Sequence, residues 1–150
     1  MTTLTVLTLL FLAFAVPVSA EDIRTMHISS WLTYTGCAVL LAYLYIFAKA
    51  QLADRLAGAV LIFILFLLLR HTTHRGLGMG DVKFSLLCGL YCGVPGVFAG
   101  CALAAVGGLL YFAVFHILKR NIPIKSVKIP FAPFMTAGVV ASVYVLGKLV

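Results

Sequence analysis

Apolar runs long enough to cross a bilayer follow one another along almost the whole sequence, and that succession limits the fold more than any other feature. They cover roughly Leu4–Ala20, Trp31–Ala48, Leu52–Leu69, Phe84–Gly100, Cys101–Leu118 and Phe131–Leu146, the third including the block LIFILFLLL. A helical span takes about 20 apolar residues. With 63% of the residues hydrophobic and only 10% charged, the apolar surface is too large for one small soluble core. Soluble α/β and all-β folds are excluded. The expected fold is an all-α membrane protein with about six transmembrane helices, forming a single unit over residues 1–150. No soluble domain, low-complexity linker or internal repeat is visible. The fourth and fifth runs meet around Pro95–Cys101 with no charge between them, and a tight turn built on the glycines is preferred there to one long broken helix.

The basic residues orient the bundle. With six spans and the amino terminus outside, Arg24, Arg70, Arg75, Lys83, Lys119, Arg120, Lys125 and Lys128 fall on the cytoplasmic side, and Lys49, Arg55 and Lys148 on the outer side. Eight of the eleven basic residues inside is the bias of positive-inside topology. The net charge of +7 therefore reads as topology and contact with anionic lipid headgroups, not as a nucleic-acid surface. Val18-Ser19-Ala20 resembles a signal-peptidase site, yet no Lys or Arg precedes Leu9, whereas a secretory signal normally opens with a positive region. A retained first helix is expected.

Only four carboxylates occur: Glu21, Asp22, Asp54 and Asp81. Ionisable groups at the bilayer are costly unless they face water or a partner, which makes them functional candidates. Asp22 directly follows the first run and Asp81 directly precedes the fourth, so the six-span arrangement puts both at the cytoplasmic face. Asp54 falls on the opposite face beside Arg55 and reads as an interfacial charge. Two carboxylates meeting at one depth suit acid–base chemistry, because like charges forced together share one proton. The charged member then serves as base toward water and the protonated one polarises a carbonyl. Two unrelated interfacial charges would satisfy the topology equally well.

The sequence around Asp81 favours the catalytic alternative. Gly76-Leu77-Gly78-Met79-Gly80-Asp81 sets glycine at every second position before a membrane-boundary aspartate. Glycine lets a backbone approach closely, and an extended peptide can add to such a segment as a strand. A nucleotide loop is a poor fit: Asp81 or Lys83 stands where the third glycine of G-x-G-x-x-G belongs, and no βαβ unit surrounds either register.

Gly78-Met79-Gly80-Asp81-Val82-Lys83-Phe84, followed by Gly89 and Gly93, resembles the GxGD signature of the type IV prepilin peptidases, a branch of the GxGD membrane aspartic proteases. That family's other Asp ends an early helix and is followed by Ile-Pro-Asn or Leu-Pro-Asp. Asp22 has the matching spacing to Ile28, but Ser29 and Ser30 stand in place of the Pro and its neighbour. Leu52-Ala53-Asp54 offers a second register, but Ile46 occupies the position of the first Asp, so Asp22 is preferred. Ile129-Pro130-Phe131-Ala132-Pro133-Phe134 is similar to the stretch that opens the family's last helix. The resemblance implies an aspartic endopeptidase of the bacterial inner membrane. It implies Asp22 and Asp81 as the catalytic pair and Gly78, Gly80 and Lys83 as substrate-binding residues, with a prepilin or pseudopilin as partner alongside membrane lipids. It leaves the oligomeric state open. A peptidase for other membrane signal peptides, and a noncatalytic transporter or assembly subunit, are the alternatives.

Neither metal nor cofactor is expected. Cys88 and Cys92 share a helix face, but a lone C-x3-C is not a zinc pattern. Cys37 and Cys101 also lie within runs and read as packing residues. His27, His71, His74 and His116 do not cluster. Bifunctional relatives carry paired Cys-x-x-Cys motifs and also N-methylate the product. These 150 residues resemble instead the short peptidase-only form of tight-adherence pilus systems.

Overall fold

The computed structural model describes residues 3–73, 77–118 and 130–146. The regular elements among them are all helices: α1 (Thr3–Thr25), α2 (Ser30–Phe47), α3 (Lys49–Thr72), α4 (Met79–Leu118) and α5 (Ala132–Leu146). The first four are long and apolar enough to cross a bilayer, and α5 is a shorter apolar helix. Helices suit lipid because each satisfies its backbone hydrogen bonds internally. Gly76, His74, Ile129 and six of the basic residues behind the charge bias (Arg75, Lys119, Arg120, Lys125, Lys128 and Lys148) lie outside the described residues, as does the side chain of His116.

α1 continues past Ala20 and takes in Glu21, Asp22 and Arg24. It ends where Met26 turns left-handed, at φ 52°, with the Met26 N–H donating to the Asp22 carbonyl at 2.9 Å. A left-handed residue closing a helix through such a bond is a common terminator, usually glycine. Four residues later the chain re-enters a helix at Ser30, so α1 and α2 form a hairpin. Between α2 and α3 only Ala48 departs from helix.

Within α4, Gly93 alone is non-helical, at φ 69° and ψ −174°, a region open essentially to glycine. The chain reverses at this residue. The first arm, 79–92, runs along α3 until the Leu90 and Tyr91 carbonyls accept from Arg55. The second arm, 94–118, returns along α3, so that Phe98, Cys101 and Ala105 share a groove with Phe66 and Leu69. The reversal comes two residues before Pro95, earlier than the sequence suggests. Proline disfavours the helical conformation in its predecessor, but here only glycine meets the required angles. α5 then packs antiparallel to the second arm. The Ser142 hydroxyl donates to the Gly96 carbonyl at 2.8 Å, and a Cβ on Gly100 would fall 2.7 Å from the Val139 Cα. Small residues let membrane helices approach this closely.

The interior is sealed by apolar and singly polar side chains. Phe11 of α1 stacks on Tyr91 at 4.3 Å, and the Thr8 and Tyr91 hydroxyls are 3.0 Å apart. Phe84, Leu87, Leu40, Leu44 and Met135 are fully buried, whereas Trp31, Leu109 and Ile117 stand outward on the lipid side. Among the described residues no buried side-chain nitrogen or oxygen lacks a hydrogen-bond partner, as a low-dielectric surrounding requires.

Candidate active site

At the end of the bundle where α1 finishes and α4 and α5 begin, two carboxylates come together. Asp22, in the last turns of α1, is 6% exposed. Its Oδ2 accepts a 3.0 Å hydrogen bond from the Ala132 N–H, the first residue of α5. That donor has no partner within its own helix, as at every helix start. The next residue, Pro133, has no N–H to offer, and Met135 N–H already serves the Phe131 carbonyl. The Ile-Pro-Phe-x-Pro stretch thus opens a helix whose exposed amide and positive dipole end meet the Asp22 carboxylate. A further pair, Ser19 and Thr136 with their hydroxyls 2.9 Å apart, locks α1 to α5 one turn deeper.

Asp81 occupies the third position of α4, and its half-buried carboxylate lies back against Gly78. Asp81 thus stands in the first turn of α4, where a carboxylate is favoured by the positive end of the helix, with Gly78 as the residue before the helix. A Cβ on Gly78 would lie 2.8 Å from Asp81 Oδ2, so a larger residue there would crowd the carboxylate. Gly80 has a different reason. Its Cβ would fall 2.7 Å from the Ile28 Cβ, and Ile28 is the buried residue of the α1–α2 turn. The alternate glycines thus do two jobs: one receives the carboxylate and the other docks the α4 start onto the turn just beyond Asp22. Consequently Asp22 and Asp81 lie within electrostatic reach of each other, although α2 and α3 intervene in sequence.

Each carboxylate therefore sits at a helix start, Asp22 on the Ala132 amide of α5 and Asp81 in the first turn of α4. Such placement is worth about 0.3–1 kcal/mol per charge at exposed sites and more when partly buried. It offsets part of the repulsion between like charges brought close to lipid.

The rim adds three polar side chains. Glu21 Oε2 accepts from the Ser29 N–H at 2.9 Å, capping α2 where the Ser29 hydroxyl does not. Lys83 Nζ donates to Ser30 Oγ at 2.7 Å and stands 5.9 Å over the Tyr34 ring. Lys83 therefore points to α2, and Ser29 and Ser30 become the contacts that tie α2 to α1 and α4. Sequence reasoning noted these serines only as substitutions and assigned Glu21 no part. The capping signal, an acidic residue eight positions before a helix start, has no local pattern to betray it.

Asp54 sits at the far end of the first arm of α4, against Gly93 and beside Arg55, well away from the pair. His27 and His71 are exposed. Among the described residues no three His, Cys, Asp or Glu side chains are grouped to hold a metal ion, and the four cysteines are free thiols. The arrangement offers two acid–base groups within electrostatic reach of each other at one end of a helical bundle.

A family model described as the type IV leader peptidase family matches residues 9–115, a segment containing both aspartates. No curated protein and no solved structure matches this chain.

Proposed function

The chain belongs to the type IV leader peptidase family, and on that footing we propose that it is an aspartic endopeptidase that removes the leader peptide from prepilins or pseudopilins at the cytoplasmic face of the bacterial inner membrane. One observation carries the reading: Asp22 and Asp81, on different helices of the matched segment, lie within electrostatic reach at one end of a multi-pass helical bundle.

In the proposed reaction the ionised carboxylate takes a proton from a water held between the pair, and that water attacks the scissile carbonyl carbon. The protonated carboxyl donates a hydrogen bond to the carbonyl oxygen and stabilises the charge that develops there. Collapse of the tetrahedral intermediate breaks the C–N bond, and the leaving amine takes up a proton from the pair. The Ala132 amide keeps Asp22 oriented throughout. Of the three substrate-binding candidates, exposed Gly78 is the one that the substrate backbone meets, while Gly80 and Lys83 hold α4 to the α1–α2 turn and to α2. In the proposed topology the two arms of α4 are separate spans, making six in all, with the amino terminus outside.

The test is co-expression of the chain with prepilins, reading leader loss by gel shift. Wild type should process one or more of them, and Asp22→Asn and Asp81→Asn should each abolish processing while the protein still accumulates in the membrane. The double variant should be no worse than either single one, because the two groups act as a unit. Asp54→Asn should remain active. Full activity of Asp81→Asn would end the aspartic mechanism, and full activity of Asp22→Asn would break the pair.

A further inference from the structure

Between α3 and the returning arm of α4 lies an apolar groove of about 630 Å³. Its walls are the large side chains Phe66 and Leu69, and its floor is Cys101, Ala102 and Ala105. Cys101 and Ala105 are one helical turn apart, so the backbone is open to close approach along that line. Large residues flanking a strip of small ones form a channel that takes the ridge of another helix.

The cytoplasmic end of this groove is formed by Leu77 and Phe131. Leu77 immediately precedes Gly78, against which the Asp81 carboxylate lies. Phe131 immediately precedes Ala132, whose amide holds Asp22. The groove therefore runs into the residues that adjoin both carboxylates. A second groove, of about 530 Å³ between α1 and α5, reaches only the Asp22 side, at Ile23 and Pro133.

We infer that the α3–α4 groove is the docking site for an apolar membrane-spanning helix of the substrate, seated so that the peptide bond at its cytoplasmic end lies at Asp22 and Asp81. This inference rests on the peptidase reading and adds to it a place for the part of the substrate that is not cut. Apolar walls cannot recognise a polar leader, whereas a helix in the groove delivers its own end to the carboxylates. Holding the reacting bond in this way converts encounter into an intramolecular step, which is a large part of what an enzyme can gain from remote binding.

Native Cys101 supplies the probe. Membranes containing the Asp81→Asn protein would be mixed with a leader-bearing substrate that carries one cysteine at successive positions of its apolar segment, then treated with a short bismaleimide. Cross-links should recur every three to four residues, vanish in Cys101→Ala, and fail to form through Ala137→Cys in the α1–α5 groove when Cys101 is replaced. In wild-type background, Ala102→Phe should raise KM for the membrane substrate about tenfold or more, with kcat changed far less. Cross-links through position 137 instead, Cys101 joining only a second copy of this chain, or an Ala102→Phe protein with unchanged KM would each overturn the inference. If wild type cuts the substrate while Cys101 stays silent, the groove assignment alone fails. If wild type cuts no leader-bearing substrate, the peptidase reading falls and takes the groove with it.

Discussion

Gly80→Ala is the smallest perturbation that should separate the two aspartates without touching either. The added Cβ would stand 2.7 Å from the Ile28 Cβ, closer than two carbons can come, so the α4 start or the α1–α2 turn must shift. Ile28 is β-branched, which restricts the rotamers open to it, and it is 5% exposed, so its side chain has little room to yield. Overpacking of this kind costs typically about 1–3 kcal/mol, against a gain of at most about 1 kcal/mol from replacing glycine in a helix. The net loss of stability should therefore be modest, about 0–2 kcal/mol. Activity should suffer far more, since a displacement of about 1 Å at reacting groups can lower the rate about 100-fold. The assay is leader removal in isolated membranes, alongside thermal melting in detergent. Ile28→Gly should restore much of the lost activity to Gly80→Ala, because it removes the Cβ that the new methyl meets. Full activity in Gly80→Ala would refute the docking argument, and so would a double variant no better than the single one.

Gly93→Ala should destabilise the protein by about 1–3 kcal/mol, the usual strain of a side chain held in this backbone region, because the residue sits at φ 69° with Asp54 against it. A lower melting temperature and poorer accumulation would report this; an unchanged melt would show that the reversal does not need glycine. The rate of cleavage should be bell-shaped in pH, falling in acid as the pair loses its base and in alkali as it loses its donor, with two macroscopic pKa values belonging to the pair. A flat profile through the carboxylate range would contradict the shared proton. Reporter fusions near residues 26 and 75 should score cytoplasmic, and those near residue 50 periplasmic, as the basic-residue bias requires; a mature chain beginning at Glu21 would overturn that topology.

The membrane class and the apolar runs were legible in the sequence, because hydropathy over some 20 residues is a local quantity that the lipid reads directly. Both aspartates were legible too, since so few carboxylates occur in so apolar a chain and each flanks a run. α4 begins at Met79, ahead of the apolar run: Met79-Gly80-Asp81 looks too polar for a span, yet it is helical, with Asp81 in the first turn where the helix dipole favours a carboxylate. Gly93 could be marked as one of several candidate glycines. That the chain turns there rather than nearer Gly100 follows from Arg55 taking the free carbonyls on one side and Gly58 leaving room on the other. Ala132 had no side-chain signal, since it acts through its amide, and that amide is free only because α5 begins there. The meeting of Asp22 with Asp81 likewise depends on Gly80 settling against Ile28, a contact between distant segments that no local pattern encodes. Apolarity and charge act residue by residue and can be read along a line. The pairing of two carboxylates depends on which surfaces exclude one another, and only the packed chain decides that.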